Sequence, residues 1–355
     1  MGSKAFTVFI TLSQYVGTYI ATPLNVFLIY MIWTKSPKKI GNYRYLMIYV
    51  SLFELFFAFL AYITGALIYS CTTRVIVIVK SSESVFSRNV WILLDCLMCA
   101  VYLSSMTVFS IHFLYRYSYL YPSGRKLFEG WRIAFWMLLP IAVSVASSTL
   151  YYNVFAPTAE FTEFIRKALS DDLDINVDDF VYVGPYYFPE DKNGIHDMDW
   201  NAFCAMTAVW VLVGLSAITL FVCGYGCYSK ISSGLEVSRN SQQTKAIQQQ
   251  LFYALVMQSA IPCLLMYIPT TIVHFCTFIR QNIGSASSFI SYSVALYPAV
   301  DPFPTLIIVK NYRRATKEML ARCFNFGWCT RKKEAQENII RMQTVGSPIV
   351  SPPCR

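Results

Sequence analysis

Three polar side chains stand in stretches that are otherwise apolar: Asn25, Glu54 and Asp301. Asp301 lies within Tyr297-Pro-Ala-Val-Asp-Pro-Phe-Pro304, just before the basic run that opens at Lys310. A carboxylate at the centre of a bilayer costs about 2.5–3.5 kcal/mol. Prolines also release backbone carbonyls that then need a neighbouring helix, hydroxyl or water. Such a stretch is stable only inside a bundle. Counted from the basic end of its own run, each polar residue lies eight or nine residues in, a shared depth of about 12–14 Å at helical rise. Two carboxyls meeting at one level do not both ionise comfortably, so a shared proton or a bound cation is the chemistry open to them. The expected unit is a polar hinge of Asn25, Glu54, Tyr297, Pro298, Asp301 and Pro302 with two arrangements of similar energy.

Other residues point to other chemistries. Arg116, flanked by Tyr115 and Tyr117, falls where an apolar run ends; it reads equally as a snorkelling anchor or as a point of contact for a partner. Gly214-Leu-Ser216 with His274 has the residue types of an intramembrane serine hydrolase. The expected depths of Ser216 and His274 differ too much for a hydrogen bond, so no enzyme is expected. The stretch 154–199 carries eleven carboxylates against three basic residues. It has no calcium-loop spacing and reads as a solvated lid. No cofactor, no metal ligand set and no interleaved basic-aromatic surface for nucleic acid are evident.

The elements that must position these groups are membrane-length. The 355 residues are 55% hydrophobic and 14% charged, which excludes an ordinary soluble globule. Seven apolar runs, near 8–33, 45–70, 91–115, 132–153, 200–228, 249–277 and 286–309, reach the roughly 20 residues needed to span. The first is too long for a cleavable signal and reads as a retained anchor. The intervening segments 34–44, 116–132, 229–248 and 310–355 hold 21 of the 29 Lys and Arg residues. The positive-inside rule then sets the N-terminus outside and the C-terminus in the cytoplasm. The expected fold is an all-α membrane protein, a seven-transmembrane helix bundle over residues 1–326, with a disordered cytoplasmic tail over 327–355. Residues 311–326 read as a short basic amphipathic helix after span seven, with Cys323 and Cys329 beside it as candidate palmitoylation sites. Most of the eleven cysteines read as free thiols within the membrane, and there is no N-glycosylation sequon.

Four motifs occur in register: Lys39-Ile-Gly-Asn-Tyr-Arg-Tyr-Leu-Met47, Phe113-Leu-Tyr-Arg-Tyr117, Gln250 to Pro262 with Tyr267-Ile-Pro269, and Leu296-Tyr-Pro-Ala-Val-Asp-Pro302 with Val309-Lys-Asn-Tyr-Arg313. Together with the seven spans they resemble the rhodopsin-like G-protein-coupled receptors, and more closely the nematode serpentine chemoreceptors of the Str/Srj type. The resemblance implies an odorant receptor in the plasma membrane, on the cilia of chemosensory neurons, that detects small environmental molecules and signals through a heterotrimeric G protein. It assigns Tyr115, Arg116 and Tyr117 to the G-protein-facing end of span three, and Asp301 to the span-seven motif where rhodopsin-like receptors usually have Asn. Two departures stand out: Tyr115 replaces the acid that usually precedes the arginine, and 154–199 has no cysteine for a disulfide to span three.

Within that frame the ligand pocket is expected between the outer halves of spans three, five, six and seven. Met98, Cys99, Tyr102, Thr207, Tyr267, Thr270 and Tyr292 are its candidate lining. Aromatic, sulfur-rich and sparsely charged, this set suits a small, mostly neutral molecule. Asp95 lies a turn above the position that amine receptors of similar type use, which disfavours a monoamine. A neuropeptide receptor is the alternative, followed by a channel or transporter. The topology has a direct check. With Asn176→Cys and Asn240→Cys as single sites in an otherwise unreactive background, an impermeant thiol reagent added to intact cells is expected to label only the first. Labelling only the second overturns the orientation.

Overall fold

The computed structural model describes residues 3–37, 40–71, 74–82, 86–120, 122–173, 176–189, 198–232, 242–279, 281 and 283–322. Cys323, Cys329 and the tail 327–355 lie outside the described residues. Six helices are long and apolar enough to cross a membrane: Leu12–Lys35 (within Ser3–Lys35), Tyr43–Thr64, Arg88–Tyr119, Arg132–Val154, Trp200–Ser232 and Ala246–Phe278. A seventh, Phe289–Ile308, turns through 102° into a further helix, Lys310–Arg322. These are spans one to seven below. Their outward faces are apolar, with Leu138, Val145, Leu215, Ile218, Phe221, Leu264 and Phe275 all exposed. Lipid can cover such a belt; water cannot do so cheaply.

Span three runs through the centre, and small residues let its neighbours approach. Gly224 and Gly226 of span five make room for span three's rings: a Cβ at Gly226 would stand 2.5 Å from the Tyr117 ring, and one at Gly224 would stand 3.2 Å from the Phe113 ring. Gly17 does the same between spans one and seven, where a Cβ would come within 2.3 Å of the Ala295 carbonyl oxygen. About one turn deeper, Ala21, Ala58 and Ala299 of spans one, two and seven are buried against one another.

The chain is not wholly helical. Span two ends at Thr64, where Gly65 takes a left-handed conformation (φ 54°) and donates its N–H to Ala61 O. The apolar run continues to residue 70, but as strand β1, Leu67–Cys71. It pairs antiparallel with β2, Arg74–Lys80, which pairs antiparallel with β3, Phe180–Val183. The free edge of β1 is closed by span seven and the helical turn Gly284–Ser288 before it: Ile68 N–H donates to Ser291 Oγ at 2.8 Å and Ser70 N–H to Ser287 Oγ at 2.7 Å. Strand alternation divides β2 between two cores. Val75 and Val79 face the bundle, while Ile76 and Ile78 join Leu67, Tyr69 and Tyr182 on the other face.

A further helix, Ala159–Leu173, packs on that second face through Phe161, Ile165 and Leu169, spaced one turn apart. The described part of 154–199 is therefore a folded cap and not a solvated lid. Arg74 is buried between the rings of Phe164 and Tyr186, at 3.6 and 4.4 Å from their centroids, and donates to Phe188 O at 2.9 Å. Burial pushes the Tyr182 hydroxyl up to about 12, although it pairs with Thr162 Oγ1 at 2.7 Å. At the rim Arg166 donates to Asp178 at 2.8 Å, and that bond holds the Asp178 carboxyl below its usual range. The pair is open to solvent, so screening leaves it a small part in stability.

The span-one contact yields a prediction. Gly17→Leu forces spans one and seven apart, an overpacking expected to cost about 1–3 kcal/mol. Thermal unfolding of the detergent-solubilised chain is expected to show a clearly lowered midpoint, whereas Gly214→Leu, whose Cβ meets nothing within 4 Å, leaves it near the original value.

Candidate functional site

Span seven brings its own problem and its own solution. Pro302 has no N–H to offer the carbonyl of Pro298, four residues back. Asn25 of span one answers it: Nδ2 donates to Pro298 O at 2.9 Å and to Ala21 O at 3.2 Å. One turn on, Asp301 is wholly buried. Gln258 of span six donates from Nε2 to Asp301 Oδ2 at 2.8 Å, and its Oε1 accepts from Thr305 Oγ1 at 2.9 Å. Glu54 of span two, equally buried, faces both Asp301 and Asn25. Tyr297 packs edge-on against Phe57, with ring centroids 5.8 Å apart. Among the described residues no donor reaches Asn25 Oδ1, Glu54 Oε1 or Asp301 Oδ1. Two buried carboxyls facing one another need a proton or a cation between them.

Arg116, at the far end of span three, is buried as well. Its guanidinium lies 3.7 Å from the centroid of the Tyr43 ring, and Nη1 donates to Gln248 Oε1 of span six. Tyr115 stacks on Tyr43 and meets Phe128 edge-on, with centroids 5.3 and 5.0 Å away. Tyr117 points the other way, into the gap left by Gly226. A glutamine and an aromatic face thus hold the arginine where an acid was to be expected.

Beneath the sheet lies a cavity of about 100 Å³, of the order of an apolar void that takes one benzene. Five of the seven expected lining residues are on its wall: Met98, Cys99, Tyr102, Tyr267 and Thr270. Thr207 is not. It is exposed on span five and borders a second, shallower cavity between spans five and six. Tyr292 is not on the wall either; it packs against the core of the cap. The expected wall was drawn from helices alone, so it lacked the roof of Val75, Val77 and Val183 and the span-one contribution, Gln14. Asp95 is buried beside Cys96 and Cys99, off the cavity wall.

The wall is also a joint between spans three and six. The Tyr267 hydroxyl accepts from Met106 N at 2.9 Å and donates to Tyr102 O at 2.9 Å, bridging a donor and an acceptor that pair directly in a regular helix. Tyr267 stands on the π-turn Cys263–Tyr267, which follows Pro262. Tyr102 Oη and Thr270 Oγ1 are 2.7 Å apart, and His274 Nδ1 donates to Thr270 O at 2.9 Å. The protease-like pair is not assembled: Ser216 Oγ lies 3.3 Å from Thr107 Oγ1, on the span-three side.

Three residues with no role assigned from sequence matter here: Gln14, Gln248 and Gln258. Each is a glutamine in or bordering an apolar run, and that is the signal that could have found them. Gln258→Leu strands the Asp301 carboxyl and the Thr305 hydroxyl. A loss of about 1–3 kcal/mol is expected, visible as a lowered unfolding midpoint in detergent. An unchanged midpoint would mean Asp301 does not depend on span six.

Comparison with known proteins covers almost the whole chain. Residues 10–317 match the family described as serpentine type 7TM GPCR chemoreceptor Str. Similar proteins include G-protein coupled receptor str-217 of Caenorhabditis elegans, 31% identical over 313 residues, 87% of this chain and 89% of the relative. Serpentine receptor class r-10 of the same organism is 25% identical over 95% of this chain and 96% of its own length. Serpentine receptor class J-38 is 21% identical over 92% and 95%. With seven membrane-length segments, an arginine closing span three and a Pro-Ala-Val-Asp-Pro stretch in span seven, the chain belongs to the Str family of serpentine, seven-transmembrane G-protein-coupled chemoreceptors.

Proposed function

We propose that this receptor takes a small, mostly neutral odorant into the cavity under the sheet and passes its occupancy to a heterotrimeric G protein at the Arg116 end. One observation carries the reading. A single helix, span six, supplies Tyr267 and Thr270 to the cavity, Gln258 to Asp301, and Gln248 to Arg116. Movement at the π-turn therefore alters two buried polar contacts further along the same helix. Moving a helix past a buried carboxyl changes that group's surroundings, so Asn25, Glu54, Tyr297, Pro298, Asp301 and Pro302 bias two arrangements of spans six and seven. Coupling between sites is typically worth about 1–3 kcal/mol. Tyr115, Arg116 and Tyr117 form the G-protein-facing end, now shut by Gln248 and Tyr43.

In this reading the N-terminus and the sheet face outside, and helix Lys310–Arg322 lies along the cytoplasmic surface, where Cys323 and Cys329 are the acylation candidates. The working location is the plasma membrane, on the cilia of chemosensory neurons. The small, sheet-roofed cavity suits a small volatile better than a peptide.

The test uses the full chain in reporter cells exposed to volatile compounds of four to six carbons. Responses are expected to vanish when the G-protein cycle is blocked with a non-hydrolysable GDP analogue. Ligand-gated current that persists without guanine nucleotide would make the protein a channel. Asp301→Asn is expected to keep ligand affinity within a few-fold while strongly altering signal amplitude. A normal response from Asp301→Asn at normal surface level would reduce the polar cluster to a structural role.

A further inference from the structure

Apart from the Tyr102, Tyr267, Thr270, Thr271 and His274 side chains on spans three and six, the cavity has a second polar corner where spans one and seven meet the start of β1. Gln14 of span one is 1% exposed there, and its Nε2 donates to Ala66 O at 2.8 Å. A carbonyl oxygen only accepts, so the amide nitrogen must face Ala66 and the assignment of the two ends is settled by chemistry. That leaves Oε1 as an acceptor on a side chain that lines the cavity, and no donor among the described residues meets it. A buried acceptor without a donor is rare and unfavourable, and calls for an occupant.

Ser291 of span seven lines the same cavity and is likewise 1% exposed. Its hydroxyl oxygen accepts from Ile68 N–H at 2.8 Å, which leaves its own proton to donate. Two observations bring the two side chains to one corner. Gln14 and Ser291 each lie about one turn before the Gly17–Ala295 contact on their helices. Their backbone partners, Ala66 and Ile68, are two residues apart. The rest of the nearby wall, Met98, Val75 and Val294, offers no polar side chain.

We propose that the receptor's ligand carries a hydroxyl group, on an otherwise apolar skeleton of about four to six carbons, that donates to Gln14 Oε1 and accepts from the Ser291 hydroxyl. A hydroxyl meets both groups at once. A ketone, ester or ether of the same shape can only accept, so it leaves Gln14 Oε1 buried and unmet. Gln14 and Ser291 are therefore the specificity-determining residues of the site, and hydrogen-bond donation sets the preference within a class otherwise selected by size. The inference rests on the reading of this cavity as the ligand site.

The experiment uses three matched series on the full-length receptor: straight-chain alcohols of four to six carbons, the ketones of the same chain lengths, and the corresponding methyl ethers. Reporter response and thermal stabilisation of the purified, detergent-solubilised protein are the two readouts. At least one alcohol is expected to be about tenfold or more as potent as its ketone and ether counterparts. Gln14→Met, similar in length but without the acceptor, is expected to bring that alcohol and its ether to within about twofold. Ser291→Ala keeps the acceptor, so it is expected to weaken all three series while preserving the order alcohol over ether. If Gln14→Met does not reach the surface, the wild-type ranking and Ser291→Ala still decide. Ketones or ethers acting as well as the alcohols overturn the inference and leave the small-molecule reading intact. Silence from all three series in both readouts counts against the inference and the reading together.

Discussion

Asp301 is wholly buried in span seven, and its Oδ2 is held at 2.8 Å by Gln258 of span six. A carboxyl in that position has to be met by other spans, because its own helix has no spare donor to offer it. Asn25 comes from span one for the carbonyl that Pro302 cannot pair, and Glu54 comes from span two. The close approach this requires is made possible by Gly17, Ala21, Ala58 and Ala299. The polar cluster and the small-residue contacts are therefore one device. Without the small residues the polar groups could not reach each other. Without the polar groups the prolines and the carboxyl could not be buried.

The sheet answers a different constraint. Backbone outside the helices must still pair its N–H and C=O groups, and here it does so on top of a bundle whose end is apolar. β2 is buried on both faces, by the bundle below and by helix Ala159–Leu173 above, and β1 gives its remaining edge to Ser287 and Ser291. The result is a roof tied to spans one and seven at the corner where Gln14 stands. The cavity is therefore a product of cap and bundle jointly, and its polar corner lies at their seam.

Span six connects the two ends of the molecule. Its π-turn follows Pro262, where a regular ladder cannot be kept, and sets Tyr267 into the backbone of span three. Further along, the same helix reaches Asp301 and then Arg116. The arginine's surroundings explain how the chain does without an acid before it. Tyr43 gives a cation–π face and Gln248 an acceptor, both neutral, so among the described residues the guanidinium is held without an acid partner. Such a lock is built from groups on spans two and six and not from span three's own neighbours.

Much of this was legible in the sequence, for reasons of solvent. Lipid admits only helices or closed barrels, so run length and the placement of Lys and Arg outline seven spans, and an acid or proline inside one of them stands out at once. Asn25, Glu54 and Asp301 were legible as neighbours because a common helical rise converts residue counts into depth. The same reasoning failed where the solvent changes. Residues 65–70 read as the end of span two, since an apolar run does not tell a helix from a strand. Only Gly65 and the partners from 74–80 and 180–183 decide the matter. Thr207 and Tyr292 were assigned to the cavity by depth, but rotation about a helix axis is set by packing, and packing turns both away. Gln14, Gln248 and Gln258 could be placed only by the tertiary structure. Whether a buried amide is idle or essential depends on what stands opposite it, and those partners come from residues tens to over a hundred positions away in the chain.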